Sequence, residues 1–423
     1  MWFSVGIVSE IISHRGRLVV LESNGRPKRY FDAVARGVGP AILRQTNQRA
    51  ILTVIYIDPG CSNADIARRT GLAPQTVSAV LVGLDKAGML TRGESRRGGG
   101  RGQPATPLFL NPRGAYAIGV EIGWSRLQVV LTNFAGEVVR KDGSAYAYPD
   151  ASSIFDDLAA ALNKLTAGLS AEERSRVVGL GLAAPSGIGD PASLLAPPPG
   201  QAELWSKVDL VAEVARVSGL EVRFANDGSA ACWAEFVALP SPRPGNFAYL
   251  MVDTFLAAGI IAEDRLWEGV GGSSANLGSM LVTDRTGAPR FAHQVASIHA
   301  LRQRLSAAGL AFETAIGESS PEAEQAIVAE WIEDAALALA QTILNARTVL
   351  EFEFAIVDSV LPAHILVRLI AALKLKIVEV PSLGRTTPDI RQGRLGESGA
   401  AEGAAYLSMY QKFFSRELEH MSL

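Results

Sequence analysis

The stretch that most constrains this chain is SNADIARRTGLAPQTVSAVLVGLDKAGML, residues 62 to 90, where two short helical patterns are separated by a tight turn. Ser62 can accept the free N–H groups at the start of a helix, and Gly71 can take the left-handed conformation that ends it. Pro74 then suits the first turn of a second helix, in which Val77, Val80, Leu81 and Leu84 follow the i, i+3, i+4, i+7 rule. An upstream helix with Ile51, Val54 and Ile55 on one face, capped at Thr46, completes a three-helix unit. Helix-turn-helix geometry also serves as plain packing in helical proteins, so the neighbouring residues must decide its role.

Downstream of the second helix lies TRGESRRGGGRGQPATPLFLNP, a Gly/Arg-rich stretch between apolar residues at Leu90 and at Leu108 to Leu110. It reads as a hairpin with a long basic tip, which makes the order that of a winged helix-turn-helix. A helix that opens with small polar residues can enter a DNA major groove about 12 Å wide, so Gln75, Thr76 and Ser78 are the candidates for contact with bases or phosphates. Gln75 suits bidentate pairing with adenine, whereas Thr76 and Ser78 more often hold phosphate. The wing adds Arg96, Arg97 and Arg101 beside glycines that let the backbone approach closely, and Arg101, Gly102, Gln103 and Pro104 suit a narrow, A·T-rich minor groove with concentrated negative potential. Arg68 and Arg69 serve either a phosphate or the dipole of the helix they end.

Charge supports this division. Residues 1 to 112 hold fifteen Lys/Arg against seven Asp/Glu, while the whole chain carries −3, so the remaining 311 residues are acidic by eleven charges. A basic head on an acidic body suits a nucleic-acid-binding module joined to a domain with another task.

That body alternates strands and helices. IGVEIGWSRLQVVLTNFAGEVV gives two strands and their turns, VVGLGLAAP a buried strand, and VRFANDGSAACWAEF a strand running into a helix. AYLMVD, AGIIAEDRLW and EFAIVD add strands, with helices across 294 to 308, 320 to 349 and 362 to 373. The expected class is α/β. Residues 1 to 40 form an extension to which the sequence assigns no role, with a possible hairpin closed by Asn24-Gly25.

Five stretches in order, EIGWSR, GLGLAAPSGIGD, ANDGSAACWAE, the AGII…EG segment and RLGESGAAEGAA, resemble landmarks of the ROK family of repressors and sugar kinases. The resemblance spans residues 41 to about 412 and implies an N-terminal winged helix-turn-helix followed by a two-lobed actin/hexokinase-like ATPase fold. It gives domains at 41 to 112 and 113 to 423, with a C-terminal helix near 400 to 416. In the family's kinases the first turn reads Asp-x-Gly-Gly-Thr and a second Gly-rich loop comes later, both cradling ATP phosphates on bare backbone. Here they become Glu121-Ile122-Gly123-Trp124-Ser125 and Asp253-Thr254-Phe255-Leu256-Ala257-Ala258-Gly259. Two large rings and a carboxylate oppose phosphate binding, so kinase activity is not expected.

The resemblance places Asn226 and Asp227 at the family's Asn-Asp pair, where Asp is the base acting on a sugar hydroxyl. Both residues also suit capping of the helix that starts there. The family's Gly-Glu-x-Gly-His stretch appears as Ala275-Asn276-Leu277-Gly278-Ser279, which keeps hydrogen-bonding groups at Asn276 and Ser279 but loses an anion and a His. The family's cysteine-rich zinc loop corresponds to SMLVTDRTGAPRFAHQ, which has no cysteine. No metal and no cofactor are expected, and His293 and His299 read as surface residues. Cys61 and Cys232 read as packing residues.

The expectation is a DNA-binding regulator, acting as a repressor, with effector contacts at Asn226, Asp227, Asn276 and Ser279. Its partners are double-stranded operator DNA, a sugar or sugar derivative, and copies of itself as a homodimer or homotetramer. A variant senses a protein in place of a small ligand, and the alternative is a sugar kinase with an appended head. No membrane span or signal peptide is apparent, and the expected place is the cytoplasm, at the nucleoid.

Overall fold

The computed structural model describes residues 11–14, 17–21, 27–28, 40–94, 106–190, 193–240, 243–269, 275–383 and 386–414. The chain forms two compact units, Met1–Asn47 and Gln48–Leu423. In the first, β1 (Ile11–His14), β2 (Arg17–Leu21) and β3 (Pro27–Lys28) form an antiparallel sheet. Leu21 pairs with Pro27, and Asn24-Gly25, expected to close a hairpin, lies outside the described residues.

Helix α1 (Pro40–Ile57) begins six residues before the cap expected at Thr46. Pro40 suits a first turn and nothing between it and Thr46 breaks a helix, so Thr46 sits inside and donates its hydroxyl to the Ile42 carbonyl. The other local signals act as read. Ser62 and Asp65 form a reciprocal capping box on α2 (Asn63–Thr70), Gly71 ends that helix at φ 66°, and Pro74 opens α3 (Pro74–Lys86). Strand β4 (Leu90–Arg92) pairs with β5 (Leu108–Leu110), and Cys61 bridges to Leu108 on the wing's inner edge.

The body has two five-stranded sheets. The first contains β6 (Tyr116–Ile122), β7 (Arg126–Asn133), β8 (Val138–Ala145), β9 (Val177–Ala184) and β10 (Val222–Asn226), in the order β10-β9-β6-β7-β8. Helices α4 (Ile154–Thr166), α5 (Ala171–Ser175), α6 (Gln201–Trp205) and α7 (Leu210–Ser218) belong to this lobe, and α8 (Asp227–Ala238) leaves the end of β10. The second sheet contains β11 (Phe247–Val252), β12 (Leu256–Ala262), β13 (Arg265–Leu266), β16 (Phe354–Ser359) and β17 (Asp389–Gln392), in the order β13-β12-β11-β16-β17. Between β13 and β16 run the hairpin β14 (Leu281–Thr283) with β15 (Pro289–Phe291), and helices α9 (Ile298–Ala307), α10 (Phe312–Ala315) and α11 (Glu322–Val349). Helix α12 (Ala363–Glu379) covers α11 and β17, and α13 (Gly399–Phe413) closes the described chain.

Helices α8 and α13 pack together between the sheets, α13 on the first and α8 on the second. Glycines make this close approach possible. A Cβ on Gly403 would stand 1.7 Å from the Ala230 carbonyl oxygen of α8, and one on Gly181 of β9 would stand 1.8 Å from the Ala404 carbonyl oxygen.

The winged helix is not a tethered bead. Ile51, Ile55, Leu81 and Leu108 share one core with Val130 and Phe134 of the first lobe and with Ala405, Met409 and Phe414 at the chain's far end. Tyr56, Tyr410 and Phe414 form an aromatic cluster with ring centroids 5.0 to 6.5 Å apart. Asn111 Nδ2 donates to the Gly88 carbonyl, and Arg176 Nη1 donates to the Arg113 carbonyl, both at 2.7 Å. Among the described residues no helix is long and apolar enough to cross a membrane.

Candidate functional site: a reading helix and an interlobe cleft

On the head, α3 buries Val77, Leu81 and Leu84 and turns Gln75 and Ser78 outward, with Thr76 half-buried. The hydrophobic spacing dictates this split, since burying 77, 81 and 84 leaves 75 and 78 on the opposite side. Arg92 of β4 pairs with Asp85 and so ties the wing's base to the end of α3. Arg68 pairs with Asp65 at 2.6 Å and Arg69 with Asp58 at 2.8 Å, so each helix-end arginine has a carboxylate partner inside the head. Arg96, Arg97, Arg101, Gly102 and Gln103 lie outside the described residues.

On the body, one cleft of about 190 Å³ between the lobes gathers Asn226, Asp227, Asn276 and Ser279, together with Glu121, Trp124, Asp253, Phe255 and His293. Asn226 and Asp227 sit where β10 becomes α8, both half-buried. The Asn226 side chain accepts the Gly228 N–H at 3.1 Å, and Asp227 Oδ1 accepts the same N–H at 2.8 Å. They therefore cap the helix and face the cleft together. Burial and the nearby Asp253 push the Asp227 carboxyl up to about 6.

Ala275 stands where the resemblance puts a glycine, and it keeps the left-handed backbone, φ 62°, at the strain cost a Cβ brings there.

The turn that resembles the first phosphate loop is filled. Trp124 and Phe255 meet edge to face with centroids 5.3 Å apart, and both are buried. Beside them Arg126, from the start of β7, reaches Glu121 Oε1 at 3.0 Å and Asp253 Oδ2 at 2.6 Å, which joins one lobe to the other. Tyr146 donates its hydroxyl to the carbonyls of Gly123 and Arg126, at 2.9 and 2.6 Å, and fixes the turn. Burial pushes the Glu121 carboxyl up to about 8, against the opposing pull of Arg126. Sequence reasoning misses Arg126, because nothing local marks an ion pair between residues 127 apart.

The two histidines correct their sequence reading. His293 and His299 are half-buried and face Phe255, with centroids 5.8 and 5.4 Å away, and both line a neighbouring cavity of about 430 Å³. A 3-10 turn at 292–294 carries His293 inward and His299 stands on the first turn of α9, and the six-residue spacing by itself shows neither placement. Its Nδ1 accepts the Leu256 N–H at 3.2 Å, so the neutral ring bears its proton on Nε2. Burial holds it down to about 4.

Among the described residues no three His, Cys, Asp or Glu side chains gather as a metal site. The β14–β15 hairpin, where the resemblance has a zinc loop, is fastened by other means. The Gln341 amide holds both the N–H and the carbonyl of Thr283 at 2.8 Å, Arg285 pairs with Glu330 and Asp334, and Asp284 accepts from Thr286 and Ala288.

Residues 117–411 match the ROK family, and residues 44–101 match the MarR family. A Sinorhizobium fredii protein, y4fQ, is 25% identical over 379 residues, covering 87% of this chain and 92% of its own length. The xylose repressor of Bacillus subtilis is 24% identical over 241 residues, 57% of this chain and 61% of the repressor. The crystal structure of a ROK family transcriptional regulator, a homologue of the E. coli Mlc protein, superposes with a TM-score of 0.64 at 19% identity. That superposition covers 89% of this chain and 98% of the other. With its winged helix built on the body's own core and a ROK match over most of its length, this chain belongs to the ROK family.

Proposed function

We propose that this ROK protein is a DNA-binding transcription regulator that represses its target genes, and that its two-lobed body senses an effector and no longer phosphorylates one. In this reading residues 41 to 112 are the DNA-binding head and 113 to 423 the sensing and assembling body, working in the cytoplasm on operator DNA. The observation that carries it is the fusion itself: a winged helix with Gln75 and Ser78 facing out shares its core with a kinase-like body whose phosphate turn holds Trp124, Phe255 and the Arg126 ion pairs. An ATP phosphate at that turn would meet two rings in place of bare backbone and the Asp253 carboxylate in place of a donor.

Effector binding at Asn226, Asp227, Asn276 and Ser279 acts on the first turn of α8. Helix α8 touches α13 backbone to backbone at Gly403, and α13 ends in the aromatic cluster around Tyr56 of α1. A shift of α8 is thus passed to the helix that supports the reading unit. An effector changes operator affinity only by its differential affinity for the two arrangements, commonly about 1–3 kcal/mol. Two heads are needed because one winged helix covers only a half-site, so the protein acts as a homodimer or homotetramer.

Fluorescence anisotropy with duplexes drawn from its own promoter region, alongside an ATP-turnover assay with a sugar panel, tests the reading. Duplex binding whose affinity changes with a sugar, and no turnover, is the expected result; phosphorylation of any sugar refutes it.

A further inference from the structure

The interlobe cleft has a neighbour. Leu194 and His293 line both the cleft and the cavity of about 430 Å³ beside it, so the two spaces adjoin across these side chains. The cleft alone, at about 190 Å³, falls short of the roughly 300–1,000 Å³ that small-molecule sites span, and cleft with cavity lies within it. Given that the cleft is the effector site, its ligand has room to extend.

The cavity lies among the β14–β15 hairpin, α9 and α11, and it offers polar groups that a ligand can reach. The Arg290 side chain is 54% exposed and spends only Nε on Asp284, which leaves its outer nitrogens to donate. Gln303 is exposed on α9. At the junction of the two spaces, the neutral His293 ring accepts the Leu256 N–H on Nδ1, and its Nε2–H has no partner among the described residues. Leu194, 40% exposed, presents apolar surface to the same junction, which suits the C–H face of a sugar ring.

Charge decides between a neutral and an anionic extension. Arg285 pairs with Glu330 and Asp334, Arg304 with Asp334, and Arg290 with Asp284, so every arginine lining the cavity already faces a carboxylate. The adjoining cleft adds Asp227 and Asp253 and no Lys or Arg among the described residues. A phosphate would meet these acidic groups without a free cation, whereas hydroxyls both donate and accept and so match paired arginines, carboxylates and amides.

We infer that cleft and cavity form one extended site for a neutral saccharide of at least two rings. One ring meets Asn226, Asp227, Asn276 and Ser279, the next meets Arg290 and Gln303, and His293 Nε2 donates to an oxygen at or beside the linkage between them. The inference rests on the sugar-effector reading and adds the size of the ligand to it.

Isothermal titration of the full chain compares glucose, xylose and glucose 6-phosphate with cellobiose, maltose and xylobiose. At least one disaccharide should bind about tenfold tighter than its own monosaccharide, the scale of one or two added hydrogen bonds. Arg290→Ala and Gln303→Ala should each weaken that disaccharide about threefold or more and leave the monosaccharide unchanged, whereas Asn276→Ala should weaken both.

Disaccharides no tighter than their monosaccharides, or a gain that survives both cavity variants, overturn the extended site and leave the effector reading standing. Disaccharide binding untouched by Asn276→Ala overturns the span, because the ligand would then lie in the cavity alone. Glucose 6-phosphate binding more tightly than every disaccharide overturns the neutral class. Failure of every sugar overturns the effector reading itself, and this inference with it.

Discussion

Glu121 gives the sharpest test of how the filled turn is held. In the folded protein its carboxyl lies at about 8 under burial, Arg126, Asp253 and Asp227, whereas in the unfolded chain it titrates near 4.5. A carboxyl raised on folding adds stability that is complete below the unfolded value and is lost as pH rises through the folded one. Between pH 6 and 8 the unfolded state has shed this proton and the native state still holds it, so stability falls by up to about 1.4 kcal/mol per pH unit from this group alone. Over those two units the loss approaches about 2–3 kcal/mol.

Glu235, raised to about 7, titrates in the same range, so the comparison must be a difference. Glu121→Gln keeps an acceptor for Arg126 and removes the titration. Urea unfolding of both proteins across pH 6 to 8 should show the variant gaining about 2 kcal/mol on the parent as pH rises. Parallel curves would mean that Glu121 stays ionised as the partner of Arg126 throughout, and the burial argument would be wrong.

The packing sets further outcomes. Phe414→Ala, at 4% exposure and stacked on Phe134, should cost about 3 kcal/mol and weaken DNA binding as well, read by urea midpoint and anisotropy; loss of neither would free the head from the C-terminal end. Gly403→Ala forces a Cβ onto the Ala230 carbonyl and should cost at least the roughly 1–3 kcal/mol of ordinary overpacking, with an unchanged midpoint showing that α8 and α13 part easily. Gln75→Ala should relax sequence preference more than total affinity in a binding-site selection, and a uniform loss over all duplexes would remove its reading role.

Whatever rests on signals within four residues was legible in the sequence. The Ser62–Asp65 box, the Gly71 stop, the Pro74 start and the Val77–Leu84 stripe each act over one or two helical turns, and all stand as read. The alternation that marked the α/β body was equally local. Thr46 shows the limit even there, because a good cap residue cannot end a helix whose upstream residues also favour it.

The resemblance brought Asn226, Asp227, Asn276 and Ser279 together, and they do line one cleft. Nothing in the sequence pointed to Arg126 bridging Glu121 and Asp253, to His293 turning inward, or to Phe414 entering the core of the head. Each depends on partners brought close by the tertiary fold, and periodicity carries no information about those.

The most direct test of the central claim is selection of bound duplexes from a random library by the full chain at physiological salt. The account requires enrichment of a two-fold symmetric sequence with half-sites about one helical turn or a multiple apart. Recovery of no preferred sequence would contradict it.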